Sequence, residues 1–329
     1  MASRKSAFQK FKKNVDQSDV LIAVGILVYA AALMIMVLFA VNAGPQIAAR
    51  QTQTVQRNVT VPQYSEESKA YTTVEIDQNS MYRGPLILVN NNYQSEVDGI
   101  NLVNLMEESN GTYQITDYNA QINGGAVVEN VNAMFEDFYK VAGDNDVMIN
   151  SGYRSKETQQ EIYDNTIAAQ GEEGASWVSK PGFSEHQTGY AFDLSLLTDD
   201  GIIEEFTGEE KYAWIAENCA RYGFVVRYND SKKDITGISN EPWHFRYVGQ
   251  IHAAYMTQNN LCLEEYIDLL RSYTVDEPLM IKDLSLENHM VYFVEADESG
   301  KTEVPIPSDR DYEISGNNID GYIVTCNMS

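Results

Sequence analysis

An uncharged apolar run near the N-terminus most constrains what this chain can fold into. Residues 20–41 contain no Asp, Glu, Lys or Arg. As an α-helix that rises about 1.5 Å per residue, the run would span about 33 Å, which exceeds the roughly 30 Å hydrocarbon core of a bilayer. A cleaved signal peptide has a shorter apolar region and a better cleavage site than Val41-Asn42-Ala43, and a buried core helix usually keeps a polar face. We therefore predict that residues 20–41 form a transmembrane anchor in the lipid bilayer.

The charge around this run predicts its orientation. Residues 1–19 carry five Lys or Arg against two Asp, a net charge of +3, whereas the whole chain carries −25. Because positively charged flanks stay in the cytoplasm, we predict a cytoplasmic tail at 1–19 and an extracellular position for everything after Val41. The acidic remainder argues against nucleic acid as a partner, since binding to phosphates requires an excess of Lys and Arg.

Beyond the anchor, the sequence pattern divides the chain into three parts. Residues 42–82 are polar and lack a helical or strand period, which predicts an extracellular linker. Residues 83–273 alternate strand-like and helical patterns, and residues 274–329 have the pattern of a small β-rich appendage. This order indicates an α+β fold with a central, largely antiparallel sheet flanked by helices, although alternation alone would equally permit a parallel sheet.

Apolar periods and turn residues locate the elements of the 83–273 region. Ser155 is the predicted N-cap of a helix. The three cysteines lie far apart and form no Cys-x-x-Cys pair, so we expect no essential disulfide. The predicted strands are 86–89, 146–150, 190–196 and 224–228, and the predicted helices are 127–142, 156–169, 209–222, 249–258 and 263–273.

Two of the four histidines stand among carboxylates in two short segments. His186 and Asp193 are seven residues apart, and a turn at Gly189 between them could bring both side chains to one metal ion. His244 would reach the same ion from a separate strand. A catalytic zinc takes three such protein ligands and keeps a fourth position for water, whose pKa it lowers to about 7.

Glu241 is a further carboxylate beside this set, and it could take the proton of such a water. Strict strand alternation would put Glu241 and His244 on opposite faces, but Pro242 makes regular pairing difficult, so a local bend could turn both inward. The residue types alone leave other interpretations open. A His near an Asp can be a simple hydrogen-bonded pair, Trp243 can belong to the core, Arg154 can be a surface residue, and the metal site can be non-catalytic.

Three ordered motifs resemble those of a known enzyme family. They are Ser151-Gly152-Tyr153-Arg154-Ser155 with Gln159, Ser184-Glu185-His186 through Asp193, and Glu241-Pro242-Trp243-His244-Phe245-Arg246. Together they resemble the VanY-like D-alanyl-D-alanine carboxypeptidases, which are zinc peptidases with the hedgehog-type α+β fold. The resemblance covers about residues 83–273.

The resemblance implies a role for each motif residue. It implies one zinc ion bound by His186, Asp193 and His244, with Glu241 as general base and then acid. Arg154 would stabilise the carbonyl oxygen as it gains charge. The substrate would be a peptidoglycan stem peptide that ends in D-Ala-D-Ala and loses its terminal D-Ala, outside the cell membrane where the anchor places the domain. The positions that the resemblance assigns to substrate binding are Gln159, Ser184, Tyr190 and Trp243.

Two classes of alternative remain. A different enzyme of the same fold could cut inside the stem peptide, or cleave free D-Ala-D-Ala, although the anchor argues against a cytoplasmic dipeptidase. An anchored wall-binding module with an inactive metal site is possible too, although such a site has no need of Glu241. A serine peptidase is unsupported because the sequence contains neither Ser-x-x-Lys nor Gly-x-Ser-x-Gly, and it also lacks a His-Glu-x-x-His helix.

Overall fold

A computed structural model describes residues 71–97, 100–171, 174, 178–283 and 285–328. These residues belong to one compact unit, Ser68–Ser329. Within the described ranges, no helix combines the length and apolar character needed to cross a membrane. The predicted cytoplasmic tail, the predicted anchor and most of the predicted linker lie outside the described residues.

The described ranges contain fourteen strands and seven α-helices. The strands are β1 (Tyr71–Asp77), β2 (Leu102–Asn104), β3 (Gln114–Ile115), β4 (Gln121–Asn123), β5 (Val147–Ser151), β6 (Ala191–Leu197), β7 (Ile203–Glu205), β8 (Phe224–Tyr228), β9 (Glu241–Tyr247), β10 (Leu279–Lys282), β11 (Asn288–Glu295), β12 (Lys301–Pro307), β13 (Tyr312–Gly316) and β14 (Gly321–Asn327). The α-helices are α1 (Leu105–Glu108), α2 (Ala126–Ala142), α3 (Lys156–Gln170), α4 (Ala213–Asn218), α5 (Lys233–Thr236), α6 (Gln250–Gln258) and α7 (Leu263–Leu270).

A six-stranded sheet forms the centre of the fold. Its order is β3-β5-β6-β9-β8, and β7 pairs with β6. The β3–β5 pair is parallel, whereas the other pairs of this sheet are antiparallel. The prediction of an α+β fold with a largely antiparallel central sheet is therefore confirmed.

Helix α2 covers one face of this sheet. Its residues Val131, Phe135 and Phe138 are buried and belong to one hydrophobic cluster with Phe192 of β6 and Phe245 of β9. The rings of Phe192 and Phe245 stack with centroids 5.6 Å apart. Because successive side chains of a strand point to opposite faces, the residues next to these two phenylalanines are directed away from α2. The apolar face is thus closed, and the other face is available for polar groups.

The C-terminal β-rich region shares a second hydrophobic cluster with the helices. Strands β10, β11, β14 and β13 form an antiparallel sheet in that order. Val291 and Ile323 of this sheet pack with Leu86, Leu88 and Ile267 of α7. The predicted β character of residues 274–329 is confirmed, and their buried face lies against helices of the preceding region.

Residues 71–82 correct the predicted linker boundary. All seven residues of β1 pair antiparallel with β12, from Tyr71 opposite Pro307 to Asp77 opposite Lys301. A 3-10 helix, Gln78–Tyr82, follows directly. The linker prediction is therefore wrong for this part, because the partner strand lies more than 200 residues away and no local pattern reveals it.

Residues 86–89 are buried, as predicted, but they do not form a strand. Their backbone groups bond individually instead of in a ladder. The Leu86 amide donates to Ser315 Oγ, the Leu88 amide donates to the Asn317 carbonyl, and the Ile87 carbonyl accepts from Arg246. An apolar run whose backbone groups each bond a different partner has the same sequence pattern as a buried strand.

The remaining elements lie close to their predicted positions. Ser155 caps α3 by accepting a hydrogen bond from the Thr158 amide, as predicted. The predicted helix at 209–222 is divided into a 3-10 turn, α4 and a second 3-10 turn that ends at Gly223. Short 3-10 segments are common at helix ends and preserve the buried side of the pattern. The three cysteines are buried free thiols.

Candidate active site

Two neighbouring strands bring the first two predicted metal ligands together. In the β6–β9 pairing, Asp193 lies directly opposite His244. Residues in that relation have side chains about 5 Å apart on the same face of a sheet. The result is a distance of 2.9 Å between His244 Nδ1 and Asp193 Oδ1. Both side chains lie on the face opposite α2, as the strand alternation requires.

The third predicted ligand comes from the turn before β6. His186 lies in a 3-10 helix, Glu185–Thr188, that ends at Gly189 with a φ of 70°. A Cβ at Gly189 would lie 3.0 Å from Leu102 Cδ2, so both the conformation and the space favour glycine. The predicted turn at Gly189 is confirmed. The ligand atoms of His186, Asp193 and His244, which we call the metal-ligand cluster, all lie within 4.8 Å of one another.

Hydrogen bonding determines which nitrogen of His186 is free. Its Nδ1 lies 2.6 Å from the Gly152 carbonyl, which can only accept, so Nδ1 carries the proton. Burial lowers the pKa of His186 to about 4, and the Arg154 cation acts in the same direction, so the ring is neutral at pH 7. Its Nε2 therefore presents a lone pair, and this buried atom makes no hydrogen bond although Asp193 Oδ2 is 3.1 Å away. Two electron-pair donors that face each other in this way fit a metal cation between them.

A bulge turns Glu241 toward the same face as His244. In the β8–β9 pairing, Val226 lies opposite Phe245 and Tyr228 lies opposite Glu241. An advance of two residues along β8 therefore corresponds to an advance of four residues along β9. The regular alternation of side chains between the two faces of the sheet is interrupted in this segment of β9. Glu241 Oε2 lies 3.8 Å from His244 Nδ1. The bend that Pro242 was expected to introduce is confirmed.

The environment of Glu241 suits a proton acceptor. Burial raises the pKa of its carboxyl to about 7, against the opposing charges of His244 and Arg154. A group with a pKa near the working pH can both take and return a proton. Burial would also raise the pKa of Asp193, but its contacts with the two histidines hold it well below its usual range. The two carboxyls therefore differ in protonation behaviour, as a base and a metal ligand should.

Arg154 lies at the edge of the metal-ligand cluster. Its amide donates to the His186 carbonyl at 3.2 Å, which fixes the loop after β5 against the 3-10 helix. The guanidinium Nη2 is 3.7 Å from Asp193 Oδ2, and Nε is buried without a hydrogen bond. Burial lowers the pKa of this guanidinium from its usual value. Its unused donors can therefore bind an oxygen that gains negative charge nearby.

These side chains line one cavity of about 250 Å³. Three of the four residues predicted to contact substrate, Gln159, Ser184 and Trp243, also line it. The prediction that Tyr190 lines this cleft is wrong. Tyr190 stands an odd number of residues before Asp193, which directs it to the other face, and it contacts Tyr247 and a separate cavity.

Sequence reasoning missed several charged and aromatic residues of the site. Glu185 and Arg246 lie within two residues of metal ligands, and Arg227 lies in an apolar strand. The Tyr228 ring lies 4.9 Å from the His244 ring and lines the cavity. A signal was present in the sequence, because Arg227 and Arg246 occur within apolar strand patterns, and a buried charge requires a partner.

Comparison with known proteins agrees with this geometry. The VanY family of D-alanyl-D-alanine carboxypeptidases matches residues 124–250. A D-alanyl-D-alanine carboxypeptidase of Enterococcus faecium is 35% identical over 256 residues, which are 76% of this chain and 77% of the relative. One of the same description from Enterococcus faecalis is 42% identical over 158 residues, 44% of this chain and 57% of the relative.

A solved structure extends the similarity to the fold. The vancomycin-resistance D,D-dipeptidase VanXYg, in complex with a D-Ala-D-Ala phosphinate analogue, is 34% identical with a TM-score of 0.70. The match covers 78% of this chain and 99% of that one. The chain therefore belongs to the VanY-like D-alanyl-D-alanine carboxypeptidase family of zinc metallopeptidases.

Proposed function

We propose that this protein is a membrane-anchored, zinc-dependent carboxypeptidase that removes the terminal D-Ala from peptidoglycan stem peptides. The observation that carries the proposal is the metal-ligand cluster with Glu241 beside it. Three ligand atoms lie within 4.8 Å of one another, and a carboxylate oxygen is 3.8 Å from one of them. A structural metal site would not require that fourth group.

The donor set fits zinc. Two imidazole nitrogens and one carboxylate oxygen are typical zinc donors, and three protein ligands leave one position open. The buried Nε2 of His186, which has no hydrogen-bond partner, supports a cation at this point. Zinc held by His186, Asp193 and His244 would activate a water molecule as the nucleophile at neutral pH and would polarise the scissile carbonyl.

Two residues of the chain then act on the substrate. Glu241 accepts the proton that the attacking water loses and delivers it to the nitrogen of the departing D-Ala. Arg154 donates hydrogen bonds to the carbonyl oxygen as it gains negative charge, and its buried position strengthens that interaction. Both roles are proposed because Glu241 and Arg154 line the same cavity.

The cavity favours the end of a small peptide. Its volume of about 250 Å³ lies just below the usual range of ligand pockets, which suits two alanyl residues. Gln159, Ser184 and Trp243 line it and would contact the terminal D-Ala and its carboxylate. The relatives named as D-alanyl-D-alanine carboxypeptidases support this substrate class.

The test is mass analysis of stem peptides after incubation with the full chain in detergent. We expect a pentapeptide ending in D-Ala-D-Ala to lose one alanine, a chelator to stop the reaction and added zinc to restore it. Cleavage within the stem would instead identify an endopeptidase of the same fold, and hydrolysis of free D-Ala-D-Ala alone would identify a dipeptidase. If the zinc-loaded chain cleaves none of these substrates, the non-catalytic wall-binding alternative replaces our proposal.

The anchor is the second part of the proposal. The uncharged run at 20–41 with a basic tail before it supports a single membrane crossing, a cytoplasmic N-terminus and a catalytic unit outside the cell. That position would give the site access to peptidoglycan. A protease added to intact cells should digest the chain beyond residue 42, and complete protection of that region would contradict the proposed orientation.

A further inference from the structure

A group of buried charges lies directly behind the metal-ligand cluster. Glu185, Arg227, Arg246 and Glu264 are connected by ion pairs of 2.7 to 2.9 Å, and we call them the Glu185 network. The two arginines and Glu185 are at most 2% exposed. Two carboxylates balance two guanidinium groups, so the network carries no net charge.

Glu185 is the member of this network that contacts a metal ligand. Its Oε1 accepts from Arg227 Nε and from Arg246 Nη1, each at 2.8 Å. Its Oε2 lies 3.3 Å from His244 Nε2. A carboxylate can only accept, so this contact keeps a proton on Nε2 of His244. Nδ1 faces Asp193 Oδ1 at 2.9 Å, so a metal that replaces the proton between these two atoms would bind Nδ1 while Nε2 still donates to Glu185.

We propose that Glu185 is a positioning residue that selects the metal-binding tautomer of His244, and that Arg227 and Arg246 hold Glu185 in place for this role. The inference rests on the proposed zinc function and adds a group that determines how well the zinc is bound. Carboxylates that bind the second nitrogen of a metal-bound histidine orient its ring and raise its affinity for the metal.

Further hydrogen bonds of Arg227 and Arg246 restrict the movement of Glu185. Arg246 Nη2 donates to the carbonyls of Pro85 and Ile87, both at 2.9 Å. Glu264 binds Arg227 through both of its oxygens and also accepts from Asn90 at 3.0 Å. The two arginines are thus held by these contacts, and Arg227 Nε and Arg246 Nη1 donate to Glu185.

The Glu185→Gln variant tests the tautomer directly. Because two guanidinium groups require an acceptor, the single amide oxygen should face Arg227 and Arg246. The amide NH₂ would then face His244 Nε2 and favour the tautomer with the proton on Nδ1, which cannot bind zinc. We expect zinc affinity, measured by competition with a chelator, to fall about 10–100-fold.

Glu264→Gln is the matched control. It removes the same charge from the same network. Within the part of the chain that the structure describes, Glu264 binds Asn90 and Arg227, and it is connected to His244 through Arg227 and Glu185. We expect this variant to lose stability yet keep the zinc affinity of the natural protein within about threefold. Equal losses of zinc affinity in both variants, or no loss in Glu185→Gln, would overturn the proposal.

A spectroscopic measurement separates this inference from the proposed function. In zinc-loaded protein labelled with ¹⁵N-histidine, the Nε2–H signal of His244 should exchange slowly with water because it donates to Glu185. Rapid exchange of that proton in zinc-loaded protein would contradict the positioning role even if the protein is fully active. Failure of the natural protein to bind zinc at all would instead reject the proposed function.

Discussion

Two adjacent groups of buried charges in this protein differ in how completely their polar atoms are paired. In the metal-ligand cluster, Nε2 of His186 is buried without a hydrogen bond, and so is Nε of the neighbouring Arg154. In the Glu185 network, each carboxylate and guanidinium has a partner of opposite charge. In this cavity the unpaired buried atoms are consistent with a ligand site, whereas the fully paired network is consistent with a support for that site.

The pKa values follow the same division. In the metal-ligand cluster, burial raises the pKa of Glu241 to about 7 and lowers that of His186 to about 4. In the Glu185 network, burial acts on Glu185 in the same sense as on Glu241, but the cations Arg227 and Arg246 outweigh it and lower the pKa of Glu185. One glutamate is therefore suited to exchange protons, and the other remains charged.

The largest expected effect is on activity, from Glu241→Gln. The substitution keeps the shape of the side chain but removes the proton acceptor, so kcat for D-Ala release should fall about 10²–10⁴-fold. Zinc content and unfolding free energy should remain close to those of the natural protein. Glu204→Gln, on exposed strand β7, is the control and should retain full activity. Turnover of Glu241→Gln within about twofold of the natural rate would refute the assigned role.

A second substitution tests the paired region. Arg227→Met should lower the free energy of unfolding by about 3–5 kcal/mol, because it leaves the Glu264 carboxylate without a cation and leaves Glu185 with Arg246 as its one remaining cation in this network. Denaturant unfolding measures this loss. Lys140→Met removes exposed ion pairs with Glu136 and Asp137, and it should change stability by less than about 1 kcal/mol. If the two variants were equally stable, the Glu185 network would not support the fold.

Much of the fold was predictable because its patterns are local. Helices α2 and α3 and strands β5, β6 and β8 lie within a few residues of their predicted bounds. The cap at Ser155 and the turn at Gly189 follow from the conformational preferences of those residues. Strand β1 and the buried loop at 86–89 were not predictable, because their partners lie far away in the sequence.

The sequence by itself determined the chemistry of the site. Two histidines, an aspartate, a glutamate and an arginine in three ordered motifs limit the protein to a small set of metal-dependent reactions. Side-chain type sets which atoms can bind a metal or carry a proton, and it does not depend on the surroundings.

Only the tertiary structure decided how those groups face one another. The bulge between β8 and β9 turns Glu241 toward His244, and strand alternation turns Tyr190 away. Glu185 acquires its contact with His244 because the fold brings the 3-10 helix Glu185–Thr188 close to β9, and Arg227 and Arg246 hold the Glu185 carboxylate there. Tertiary packing sets the distances between the side chains, the directions in which they point and the extent to which water is excluded from them. These three factors determine the protonation and binding properties of the site.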